Sequence, residues 1–304
     1  MLGGDDQAMT QSSAILLCGS DGTDAAQVAA LNAFASQLSG HPATGSVFAA
    51  SIGGSPAITD GLATLAADGA EQIICLPVTP FLADAMKTAL PIEIRTFADK
   101  HPDIEVILGR DPGIDPRMLR AAEARLKAAL PTLEEDAVNA VLMVVGPGAF
   151  ESEANAGIAK MTRMIWEGLG FAWAEVSYAD TAFPNVAKGL ETAMRLDYQH
   201  IVILPYLLSA GAHLEKINAA VSSARAQYPN LKFTQADPLG AHPEVIAVLI
   251  ERIAEALEGG NANAMNCQLC TYREQVLGLE APTHEHSHDH HHHHHGHTHD
   301  HSHD

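Results

Sequence analysis

The sequence predicts an α/β protein with two tandem domains, each built on a four-stranded parallel sheet with helices on both faces. Two observations lead to this prediction. Short apolar runs rich in Val, Ile and Leu alternate with longer segments of helical periodicity, which is the pattern of a parallel sheet. The pattern also occurs twice, because the second four apolar runs follow the first four after about 126 to 128 residues, for example from 14 to 140 and from 72 to 200. Repetition at this period indicates two equivalent domains.

Eight strands follow from the apolar runs. The helical segments repeat as well, since GLATLAADGAEQIICLP at 61–77 realigns on GLETAMRLDYQHIVILP at 189–205. The predicted strands are 14–18, 46–51, 72–77 and 104–108 in the first half, and 140–145, 173–177, 200–205 and 231–234 in the second.

The domain boundary is predicted where the periodic pattern stops, at Pro131 and the acidic residues 134–136. A second break follows after residue 258, where GGNANAMN is typical of a linker. The predicted order is a first domain over 1–133, a second over 134–258, a linker with a Cys-x-x-Cys over 259–282 and a His-rich tail over 283–304. The tail has no apolar residues to bury, so we expect it to be disordered.

The overall charge limits the possible partners. With 17 Lys and Arg against 37 Asp and Glu, the formal net charge is −20, which argues against nucleic acid or an anionic membrane surface. No apolar run approaches the roughly 18 residues of a membrane span, and the N-terminal residues lack the features of a signal peptide. We therefore expect a cytoplasmic protein. Four cysteines are too few for a disulfide framework and favour metal or redox roles.

Ligands of parallel α/β sheets bind beyond the carboxyl ends of the strands. The loops at these ends are 19–24 and 77–91 in the first half, and 146–155 and 205–216 in the second. They contain several glycines but neither of the common nucleotide-binding patterns, so a nucleotide site is not expected.

Three segments carry a family resemblance: VVGPGAFESEANAG at 144–157, LPYLLSAGAHLEKI at 204–217 and DPLGAHP at 237–243. With MNCQLCTYR at 265–273 and the His-rich tail, the chain resembles the class II chelatases, in particular the long, two-domain sirohydrochlorin cobaltochelatases of cobalamin biosynthesis. The resemblance covers both halves. It implies two flavodoxin-like, chelatase-like domains and insertion of Co²⁺ into the tetrapyrrole sirohydrochlorin, in a cleft between the domains and without ATP.

The resemblance also implies two histidines in one domain, after its first and third strands. In this chain Ser20, Ala85 and Pro147 occupy three of the four possible positions, and His213 keeps the fourth. The second half is therefore expected to handle the metal. A neutral imidazole is a good ligand for Co²⁺ and can also take a proton near neutral pH, so His213 is predicted as a catalytic and metal-binding residue.

Carboxylates are expected to assist His213, since they bind Co²⁺ and accept protons. Glu151 and Glu153 follow the glycine loop of the second half and are predicted as further catalytic residues. Asp21, Asp24 and Asp84 are candidates from the first half.

Cys267 and Cys270 form a Cys-x-x-Cys, in which two thiolates can meet one tetrahedral ion or one edge of an iron–sulfur cluster. The family resemblance implies an iron–sulfur cluster, and Zn²⁺ or a free dithiol are the alternatives. A complete site needs about four ligands. A homodimer or tail histidines could supply the others.

The tail holds thirteen histidines in its twenty-two residues. Their imidazoles are expected to bind Co²⁺, Ni²⁺, Cu²⁺ or Zn²⁺ at several sites with little selectivity. The predicted metal-binding histidines of the tail are His284, His286, His288, His290, His291, His292, His293, His294, His295, His297, His299, His301 and His303.

Other histidines and cysteines are assigned structural roles. His242 is expected to cap a helix, because Asp115, a good N-cap residue, stands at the matching place in the first half. Cys18 and Cys75 end apolar strands and are expected to be buried thiols.

The function expected from the resemblance is that of a sirohydrochlorin cobaltochelatase, a lyase. Because three of the four histidine positions are replaced, the alternative is a non-catalytic metal-binding protein or metallochaperone on a degenerate chelatase scaffold. A ferrochelatase that makes siroheme is a further alternative. Sirohydrochlorin is a polycarboxylate, so its attraction to an acidic protein must be local, from Lys216, Arg110 or helix N-termini.

Overall fold

All eight predicted strands are present in a computed structural model of the protein, which describes residues 13–41 and 44–259. The first half begins with a strand whose seven residues are all buried, and Asp24 then caps the first helix. Its elements are β1 (Ser13–Gly19), α1 (Ala25–Leu38), β2 (Ser46–Ser51), α2 (Ile58–Ala67), β3 (Gln72–Pro77), α3 (Ala85–Ala98), β4 (Glu105–Leu108) and α4 (Pro116–Ala129).

The second half repeats this order after a short helix and a single 3-10 turn, Ala137–Asn139. Its elements are α5 (Leu133–Asp136), β5 (Ala140–Gly146), α6 (Ser152–Leu169), β6 (Trp173–Tyr178), α7 (Val186–Met194), β7 (His200–Pro205), α8 (Ala212–Gln227), β8 (Lys232–Gln235) and α9 (Pro243–Leu257). None of the helices within the described ranges is long and apolar enough to cross a membrane.

The strands form two parallel sheets with equivalent topology, β2-β1-β3-β4 and β6-β5-β7-β8. In each sheet the second strand pairs with one side of the first strand, and the third strand pairs with the other side. The loops after β1 and β3, and after β5 and β7, therefore lie beside each other at a switch point, where α/β sheets bind ligands.

The two sheets share one hydrophobic core. Side chains alternate along β1, so that Ile15 and Leu17 face this shared core while Leu16 and Cys18 face a separate core under α2 and α3. The last helix of each half packs on the other half: α4 contacts β7 and α6, and α9 contacts β3 and α1. The two halves are therefore parts of one compact unit, and the boundary at 133/134 stays a prediction.

An ionic network joins α4 to α9, which also pack against each other. Asp115 caps α4 by accepting a hydrogen bond from the Arg117 N–H at 2.9 Å, and it also pairs with Arg252 of α9 at 2.9 Å. Both side chains are almost fully buried, at 3% exposed for Arg252 and 6% for Asp115. Arg110 adds a two-point bond to Glu255 at 2.7 and 2.8 Å.

The structural roles expected from the sequence are confirmed. His242 caps α9, because its ring nitrogen accepts a hydrogen bond from the Glu244 N–H at 3.2 Å. Asp115 occupies the equivalent N-cap of α4. Cys18 and Cys75 are buried free thiols.

Asp115→Ala is expected to lower the free energy of unfolding by about 3 kcal/mol, since it removes a helix cap and leaves a buried arginine without one of its carboxylates. Because Asp115 joins the halves, the loss should appear in a single urea transition for the whole unit. Glu167→Ala is the control: it removes an exposed ion pair with Arg163 and should change stability by less than about 0.5 kcal/mol. Equal effects of the two variants would contradict this role for Asp115.

Candidate functional site

A cleft lies at the carboxyl ends of the central strands and is lined by both halves. Its empty space is about 550 Å³, which includes space open to solvent. Much of the polar lining comes from the loops predicted from the sequence: Ser20 and Asp21 after β1, Thr79 after β3, and Ser209 and His213 after β7. Gln27 of α1 and Ser51 at the end of β2 add to it.

His213 is the second residue of α8 and is half-buried at the cleft. Burial lowers the pKa of its imidazole, and the positive charge of Lys216 lowers it further, while Asp180, Asp24 and Asp21 raise it. Burial is the strongest of these influences. The imidazole is therefore neutral at pH 7, the form that can ligate a metal ion or take a proton.

Asp180, in the loop after β6, contacts both helix α8 and the loop after β5. Its carboxylate pairs with Lys216 at 2.7 Å, and its backbone N–H donates to the Pro147 carbonyl at 2.9 Å. Gly148 permits this contact, because its φ is +86° and a Cβ atom there would lie 2.1 Å from the Asp180 carbonyl oxygen. Asp180 was not predicted as a site residue, although its place just after β6, at the carboxyl end of a strand, is a signal for one.

The four positions implied by the family resemblance are only partly brought together. Ser20 and Pro147 line the cleft with His213, whereas Ala85 begins helix α3. The Ser20 hydroxyl lies 3.3 Å from the Gln27 side-chain oxygen. Two of the replaced positions thus face the same cleft as the retained histidine.

Glu151 and Glu153 lie in contacts that join the two halves. The Glu151 carboxylate accepts a hydrogen bond from the Asp84 N–H at 2.8 Å, and the Asp84 carboxylate accepts one from the Phe150 N–H at 3.0 Å. Glu153 pairs at 2.8 Å with Lys87, whose side chain is only 8% exposed. Both glutamates therefore help to hold the two halves together, and their catalytic role stays a prediction.

Metal-binding side chains are sparse around the cleft. Within residues 13–41 and 44–259, no group of three or more His, Cys, Asp and Glu side chains is arranged to hold a metal ion. His213 and Asp21 line the cleft, and the Asp21 carboxylate already accepts hydrogen bonds from the N–H and hydroxyl of Thr23 at 2.8 and 2.7 Å.

The CbiX family model matches residues 14–129 and, a second time, residues 141–256. The chain belongs to the CbiX family. The predicted resemblance is thereby confirmed, and the two CbiX matches fall on the two halves that carry the two sheets.

Individual relatives agree with the assignment to the CbiX family. The chain is 32% identical over 218 residues to a sirohydrochlorin cobaltochelatase of Priestia megaterium, covering 72% of this chain and 71% of the relative. It is 28% identical over 207 residues to a sirohydrochlorin ferrochelatase of the same organism, covering 67% and 74%. The solved structure of SirB from Bacillus subtilis with Fe³⁺ shares the fold, with a TM-score of 0.68 at 21% identity over 83% of this chain and 98% of that one.

The CbiX matches end at residue 256, before the cysteine pair and the histidine tail. Cys267, Cys270 and the thirteen tail histidines also lie outside the residues that the structure describes. Their metal-binding roles stay predictions.

Lys216→Ala is expected to raise the pKa of His213, because it removes a positive charge and leaves the Asp180 carboxylate unpaired beside the imidazole. The measurement is an NMR titration of the metal-free protein, with the His213 signal assigned from its loss in His213→Gln. Lys188→Ala, which breaks an exposed pair with Glu191, is the control and should leave the His213 titration unchanged. A downward shift in Lys216→Ala would contradict the proposed electrostatics.

Proposed function

We propose that this protein is a metal chelatase that inserts Co²⁺ into sirohydrochlorin, as a lyase of corrinoid synthesis. The observation that carries the proposal is His213, a neutral imidazole in the cleft of a CbiX-family chain. The substrate is taken from the relative at 32% identity, which is a sirohydrochlorin cobaltochelatase.

The reaction requires ligand exchange and proton removal. Co²⁺ must lose its water ligands and bond to four pyrrole nitrogens, while two pyrrole N–H groups each release a proton. We propose that the His213 imidazole first ligates the incoming ion. Once the ion has passed to the macrocycle, the ring nitrogen regains its lone pair and takes one of the released protons. Asp21, which also lines the cleft, is the proposed acceptor for the other.

Recognition of a polycarboxylate by an acidic protein needs local donors. Lys216 is paired with Asp180, and Arg110 is paired with Glu255 through two of its nitrogens. Neutral donors are better placed, because four hydroxyl side chains line the cleft: Ser20, Ser51, Thr79 and Ser209. We propose that these hydroxyls donate hydrogen bonds to the substrate carboxylates, an arrangement that requires no net positive charge. Ser20 and Thr79 would then give up their present acceptors, the Gln27 side-chain oxygen and the Phe81 carbonyl.

Two alternatives rest on specific observations. The ferrochelatases among the relatives favour Fe²⁺ as the inserted ion, and a structure of SirB in complex with cobalt shows that one chelatase fold accepts both metals in crystals. A non-catalytic metal-binding protein or metallochaperone is favoured by the replacement of Ser20, Ala85 and Pro147. We favour Co²⁺ insertion because the 32% identical relative performs it.

His213→Ala is expected to lower the rate of Co²⁺ insertion at least about 100-fold, since it removes both the ligand and the proton acceptor. Insertion is measured anaerobically from the absorbance of sirohydrochlorin. His242→Asn is the matched control: Asn also caps a helix, and His242 lies at the start of α9, so its activity should equal that of the wild type.

The same assay separates the enzyme from the metallochaperone. A wild-type rate no greater than the uncatalysed insertion, together with tight Co²⁺ binding, would overturn the chelatase proposal. Full activity in His213→Ala would be compatible with the chelatase function but would show that His213 is not a catalytic residue.

We propose that the tail, residues 283–304, collects metal ions for the cleft. Its deletion should leave the rate unchanged at saturating Co²⁺ and raise the Co²⁺ concentration needed for half-maximal rate. The measurement is the dependence of initial rate on Co²⁺ in a metal-buffered solution, with and without the tail. An equal loss of rate at all Co²⁺ concentrations would show a structural or catalytic role instead.

We further propose that Cys267 and Cys270 hold an iron–sulfur cluster, with Zn²⁺ as the alternative, and that a second copy of the chain or tail histidines complete the ligand set. Thiolate pairs serve both metals. Metal and sulfide analysis of protein purified without oxygen distinguishes a cluster, zinc and a free dithiol.

A further inference from the structure

The carboxylate of Asp24 lies between the N-termini of two helices from different halves. One oxygen, Oδ1, accepts hydrogen bonds from the Ala26 N–H at 2.9 Å and the Gln27 N–H at 3.3 Å, and so caps α1. The other oxygen, Oδ2, accepts a hydrogen bond from the Ala212 N–H at 2.9 Å. Ala212 is the first residue of α8, and His213 is the second. The first half thereby holds the helix turn that carries His213.

Gly211 shows how close this contact is. Its φ is +117°, a conformation that L side chains rarely adopt, and a Cβ atom there would lie 2.3 Å from the Asp24 Oδ2 atom. No other residue fits between the carboxylate and the start of α8 without displacing one of them. The N-cap residue of α8 is Gly211, which makes no side-chain hydrogen bond, so Asp24 of the first half takes over that function.

We propose that Asp24 is a positioning residue for His213. By fixing the first turn of α8 against α1, it positions the imidazole in the cleft that Ser20 and Asp21 also line. This inference rests on the proposed chelatase function, in which His213 hands the ion to the macrocycle. A displacement of about 1 Å at a reacting group can reduce a rate about 100-fold.

The geometry requires a carboxylate. Each of the two helix N-termini needs its own acceptor oxygen. Among side chains of this length, only that of Asp carries two acceptor oxygens. Asn caps a helix as well as Asp does, but its second terminal atom is an NH₂ donor, which cannot accept from the Ala212 N–H. Asp24→Asn therefore keeps α1 capped and breaks the contact to α8.

The test compares Asp24→Asn and Gly211→Ala with the wild type in the full chain. Asp60→Asn is the control, because Asp60 also accepts a backbone N–H at a helix start, that of Ala57, but α2 does not line the cleft. For Asp24→Asn we expect kcat for Co²⁺ insertion to fall about 10-fold or more. Its KM for sirohydrochlorin and its thermal unfolding midpoint should stay near the wild-type values, and Asp60→Asn should behave as wild type.

Gly211→Ala disturbs the same contact from the other side and should also lower kcat. A wild-type kcat in Asp24→Asn would overturn the proposal. So would a loss of activity that follows a drop in unfolding midpoint, because it would mean that Asp24 acts on stability alone.

Hydrogen–deuterium exchange provides a readout that does not need activity. In Asp24→Asn the amides of the first turn of α8 should exchange about 10-fold faster, while those of the first turn of α1 keep their protection. Unchanged exchange in α8 overturns the proposal. Absence of Co²⁺ insertion by the wild type would instead overturn the proposed function, and the exchange result would then decide by itself whether Asp24 holds α8.

Discussion

The exchange of the last helices between the two halves is the constraint on which the rest of the structure depends. Helix α4 packs on the second sheet and α9 on the first, so each sheet completes its inner layer with a helix from the other half. The buried Asp115–Arg252 pair then fixes α4 against α9. Because the two halves share a core, the loops at the carboxyl ends of both sheets line the same cleft.

Further contacts join the two halves beyond the shared core. Asp84 and Glu151 exchange hydrogen bonds with backbone N–H groups across the halves, Lys87 pairs with Glu153, and the Phe81 ring lies against Gly157, where a Cβ atom would come within 2.6 Å of it. Ser20 and Ala85 stand at the two first-half positions where the family resemblance implies histidines. The first half contributes Ser20 and Asp21 to the lining of the cleft, and its Asp24 carboxylate accepts a hydrogen bond from the Ala212 N–H of α8.

The chemistry of the cleft follows from partial burial. Withdrawal from solvent lowers the pKa of His213, and the nearby carboxylates oppose this only in part. A neutral imidazole can ligate a divalent ion or take a proton, and the proposed function uses both properties.

The sequence by itself determined the strands, the duplication, the loops that form the cleft and the position of His213 within them. These features are local: period-two burial, turns and helix caps depend on neighbours in the chain, as the paired N-caps Asp115 and His242 illustrate. Only the tertiary structure decided that α4 and α9 exchange partners, that Glu151 and Glu153 engage groups of the first half, and that Asp24 serves two helices. These contacts join residues 66 to 188 positions apart, as for Phe150 with Asp84 and Ala212 with Asp24, and no local periodicity encodes them.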